Sequence, residues 1–144
     1  MPNPLAQPNL EQLIVLTEQL TEQLGRDAAA FEARRAHEVA ATIAETTRLA
    51  NLYRLQSARV QQDPAVIAGA PRELRARLVR ASEAFERTLK RHGRALYAVK
   101  TVTEGIVHAI AEEVVRARGA GAAYGSSALA CAPDATAITL NRRA

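Results

Sequence analysis

The chain is predicted to be all-α: a long antiparallel helical hairpin of two amphipathic, coiled-coil-like helices, followed by a flexible tail. Three observations predict it. Residues 9–62 and 71–118 carry apolar residues in steps of three and four, with no proline beyond Pro71 at the head of the second stretch. Asp63-Pro64, Gly69 and Pro71 cluster between them, where a reversal belongs. From residue 119 the sequence turns to GAGAAYGSSA, small and punctuated by glycine.

The first helix is expected over about 9–62. Its stripe runs Leu10, Leu13, Leu20, Leu24, Ala28 and Phe31, then Val39, Ile43, Thr46, Leu49, Tyr53 and Val60. Between Phe31 and Val39 the seven-residue register slips by one, as a four-residue stutter does, so the supercoil is expected to unwind locally near Arg35. Gly25 costs about 1 kcal/mol relative to Ala but does not stop a helix. One helix, bent within this run, is the expectation.

Pro64 disfavours helical geometry at Asp63, and Pro71 suits the first turn of a new helix whose third position is Glu73. Residues 64–68 can form a helical turn of their own. The second helix, about 71–118, shows Leu74, Leu78, Ala81, Phe85, Leu89, His92, Leu96, Val99, Thr103, Ile106, Ile110 and Val114. At 1.5 Å per residue the two helices would be about 80 and 70 Å long. Towards the end of the second, Val102, Val107 and Val115 widen the apolar stripe beyond one face. The domain division is thus a hairpin over 1–118 and a flexible or partner-ordered tail over 119–144.

Composition points to surfaces rather than reactions. The 144 residues include no Trp, three Tyr and two Phe, so the core must be built from Leu, Ile, Val and Ala. Two paired helices leave apolar surface that a tail, a second copy or another protein must cover. No run reaches the roughly 20 apolar residues of a membrane span, and the proline-rich start is unlike a signal peptide, so a cytoplasmic location is expected. The single Cys131 excludes an internal disulfide.

The net charge of +4 is uneven. Residues 1–63 hold six basic and eight acidic side chains, residues 64–100 nine and three, and the remainder four of each. Arg72, Arg75, Arg77, Arg80, Arg87, Lys90, Arg91 and Arg94 therefore form a basic sector able to meet an acidic protein or nucleic acid.

No arrangement supports catalysis. His37, His92 and His108 never stand three or four residues apart, so no helix face offers a histidine pair to a metal, and His92 on the apolar stripe reads as a half-buried packing residue. Glu104, Glu112 and Glu113 have no serine or histidine partner in a triad-like arrangement. No phosphate-binding GxxxxGK[ST] loop occurs. No enzyme activity, catalytic residue, metal or cofactor is expected.

The order of parts carries a family resemblance. A leucine-rich first helix, LEQLIVLTEQLTEQLGRDAAAFEARR, is followed by a proline-marked turn, a second helix, a Tyr-Gly tail and the closing ITLNRRA. The whole resembles the FlgN-type flagellar export chaperones, including the FlbY-like proteins of alphaproteobacteria. The resemblance implies a cytoplasmic chaperone that binds flagellar hook-associated proteins of the FlgK and FlgL kind and presents them to the export apparatus, with no small-molecule substrate. It implies client contacts through the C-terminal helix and tail, at Val102, Ile106, Val107, Ile110, Val114, Val115, Leu129, Ile138 and Leu140. Two other readings stay open: a structural coiled-coil protein that self-associates, and a basic nucleic-acid-binding hairpin.

Overall fold

The computed structural model describes residues 6–124, with side chains described to residue 120. It contains four helices: α1 Ala6–Glu32, α2 Ala36–Gln62, α3 Ala65–Ala68 and α4 Arg72–Tyr124. No strand occurs among the described residues. The all-α class and the helical hairpin hold, but the stretch expected as one helix over 9–62 is itself a hairpin.

The break falls at the stutter, where the register slip becomes a full reversal. Arg34 takes a left-handed conformation with φ of 61°. The Arg35 amide donates to the Ala30 carbonyl (2.8 Å) and the Arg34 amide to the Phe31 carbonyl (3.1 Å). These are the two bonds of a Schellman cap, which satisfies the last carbonyls of α1 and turns the chain sharply. Glycine usually fills that left-handed position, so the sequence ARRA gave no sign of it. Gly25, the other candidate for a bend, lies within α1.

The second reversal lies where proline placed it. Asp63 closes α2, donating its amide to the Val60 carbonyl, and α3 is the short turn after Pro64. Pro71 precedes α4, its carbonyl accepting from the Arg75 amide (3.1 Å), and Glu73 sits in the first turn, where a negative charge favours the helix dipole. At its far end α4 continues through the stretch expected to stop it. Ala120, Ala122 and Ala123 are strong helix formers and offset Gly119 and Gly121.

Two compact units are distinguished, residues up to Val99 and residues from Lys100 onward. In the first, the contacts fix the helix directions. Gln56 donates from Nε2 to the Asn9 carbonyl (3.0 Å), while Thr46 bonds Asp27, so α2 runs back along α1. Arg77 pairs with Glu18 and Arg91 with Glu32, both 59 residues apart, so α4 runs parallel to α1 in fixed register.

Packing follows from these directions. Leu10, Leu13 and Ile14 of α1 meet Val60 of α2, Val66 of α3, Ala70, and Ala81 of α4, with Tyr53, Leu74 and Leu78 at the margin. A second cluster joins Leu16, Leu20 and Leu24 to Leu49, flanked by Tyr53 and Phe85, whose rings lie 5.1 Å apart. Both clusters use the α1 stripe read from the sequence, extended by Ile14 and Leu16. Ile43 departs from expectation: it is 57 % exposed, while Val39 one turn earlier on the same stripe is buried. Buried polar groups are satisfied, with the Thr17 hydroxyl donating to the Leu13 carbonyl (2.7 Å). Asp27 accepts from Gln23, Thr42 and Thr46.

Candidate partner-binding surface

The register between α1 and α4 shows where α4 loses its neighbour. Arg91 meets Glu32, the last residue of α1, and His92 lies edge-to-face with Phe31 at 5.7 Å. Half-buried His92 is thus a packing residue, as its place on the stripe suggested. Of the following residues in α4, Ala95 is buried while Leu96 is exposed. Every described side chain from Lys100 to residue 120 is exposed except that of Ala111, which is half-buried.

In the second unit the helix keeps its apolar pattern without burying it. Val102, Ile106, Val107, Ile110, Val114 and Val115 are 38 to 62 % exposed. At 100° per residue, Val102, Ile106, Ile110, Val114 and Val107 share a sector about 140° wide, a width that a helix normally turns towards a core. Val115 lies beyond its edge. The six residues singled out in this helix are therefore real surface side chains. Leu129, Ile138 and Leu140 lie outside the described residues.

Among the charged residues of this stretch Glu113 falls inside the sector, near its Val102 edge, and the others lie outside it. Lys100 pairs with Glu104 (3.8 Å), His108 with Glu112 (3.1 Å) and Arg116 with Glu113 (3.2 Å), all along the helix. Such exposed contacts contribute little to stability, and the Lys100–Glu104 and Arg116–Glu113 pairs neutralise their own charge beside the apolar row. A partner reaching this face meets a hydrophobic strip rather than a strong field.

The basic sector divides in two. Arg77 and Arg91 make bidentate pairs with Glu18 and Glu32, at 2.7 to 2.9 Å, and hold both carboxyls below the usual glutamate range through those hydrogen bonds. Arg72, Arg75, Arg80, Arg87, Lys90 and Arg94 are exposed and make no ion pair within 4 Å among the described residues. The sequence could not separate these groups, because the separation depends on the α1 glutamates that come alongside.

Other candidate chemistry is sparse. Among the described residues no group of three or more His, Cys, Asp or Glu side chains is placed to hold a metal ion. No described helix is long and apolar enough to cross a membrane. Cys131 lies outside the described residues.

The described residues are thus helical throughout their ordered elements, and the last helix carries an exposed apolar row. Comparison with known proteins makes this more particular. The chain is 47 % identical over 142 residues to the flagellar basal-body protein FlbY of Caulobacter vibrioides, covering 96 % of this chain and 95 % of that one. The chain belongs to the FlbY family of flagellar proteins. Comparison with protein-family models gives no match, nor does comparison with solved structures.

Proposed function

We propose that the protein is a cytoplasmic, non-catalytic export chaperone of the FlgN type, which binds hook-associated proteins of the flagellum and delivers them to the flagellar secretion apparatus. The observation that carries the reading is the row Val102, Ile106, Ile110 and Val114, a core-type helix face left exposed. Membership of a flagellar family supports the setting.

The mechanism follows from what such a face can do. A client segment that becomes helical on binding can lay its own apolar side chains along α4 and be kept from assembling too early. Ordering the segment consumes part of the interaction free energy, which keeps the complex reversible. Release to an export machine needs that reversibility.

Co-purification with candidate hook-associated proteins tests the reading. The variant Val102→Ser/Ile106→Ser/Ile110→Ser should lose the client while keeping its helix content. Client binding that survives this variant and also survives truncation after Tyr124 would sink the proposal. A wild-type chain that captures only itself, with a mass that rises with concentration, would favour the self-associating coiled coil instead.

A further inference from the structure

We draw no further inference here: the strongest candidate, the exposed apolar row of α4 at Val102, Ile106, Ile110 and Val114 taken as a seat for a second copy of the chain, belongs to the surface already described, and nothing in the structure shows what covers it.

Discussion

The carboxylate of Asp27 on α1 accepts a hydrogen bond from the hydroxyl of Thr46 on α2 at 3.2 Å, 19 residues away in sequence. Asp27 is 3 % exposed, and Thr42 and Gln23 also donate to it, at 3.3 and 3.0 Å. A buried acid is retained only when its lone pairs are met, and here neutral donors from both helices meet them. Asp27→Ala should cost about 1 to 3 kcal/mol in urea denaturation. Thr46→Val should cost less, about 1 kcal/mol, since Thr42 and Gln23 remain as donors.

Arg34 holds the left-handed position of the α1 cap at a cost of about 1 to 2 kcal/mol. Arg34→Gly should therefore stabilise the protein by about 1 kcal/mol, and a β-branched residue there should destabilise it. Equilibrium unfolding of the two variants, read against the wild type, decides the matter. A glycine variant no more stable than wild type would show that the cap is not strained.

Gly25 offers a separate gain. A Cβ at this position would lie 3.8 Å from Thr88 Cγ2, an ordinary contact, and the residue is inside α1. Gly25→Ala should raise stability by about 0.5 to 1 kcal/mol through the lower backbone entropy of the unfolded chain. A rise in the thermal midpoint is the expected readout.

The acid limb of stability should follow the interhelical pairs. Hydrogen bonds from Arg77 and Arg91 hold the Glu18 and Glu32 carboxyls below the ordinary value of 4.5. A carboxyl depressed in the folded state contributes stability above its unfolded pKa and loses it as pH falls through the folded one. The contribution should therefore be complete at neutral pH and decline below about 4.5. It is small, because both pairs are nearly half exposed and solvent screens them. Thermal midpoints measured from pH 6 down to pH 3 should fall less steeply in Arg77→Met/Arg91→Met than in the wild type.

Core and surface isoleucines should respond very unequally to truncation. Ile14→Ala, at a fully buried position, should cost about 2 to 5 kcal/mol. Ile106→Ser and Ile110→Ser should each stay within about 0.5 kcal/mol, apart from the small helix-propensity cost. Marked destabilisation by either serine would mean that the row is already covered within the chain.

Much of this was legible in the sequence, because periodicity reports burial and proline reports turns. Leu10, Leu13, Leu20 and Leu24 stood on the α1 stripe and are buried, and Asp63-Pro64 and Pro71 marked the reversal between α2 and α4. The turn at Arg34 was visible only as a register slip. Its left-handed residue is an arginine, and a local motif made mainly of backbone bonds leaves little trace in side-chain type. The overwide stripe at Val102 to Val115 was legible as apolar excess. That it lies exposed required knowing that α1 ends at Glu32. Asp27 escaped notice altogether, since only the arrival of α2 gives it partners.

The constant separation of 59 residues between Glu18 and Arg77, and between Glu32 and Arg91, also determines which length changes the molecule can tolerate. A single residue inserted between Arg77 and Arg91 would swing Arg91 about 100° away from Glu32 and carry His92 off Phe31. Seven residues inserted after Lys100 would leave every one of those pairs in place and simply give the exposed row two more turns. Insertions and deletions in this family are therefore expected to accumulate in the second half of α4, in near-multiples of seven, while the span from Glu18 to Arg91 keeps its count.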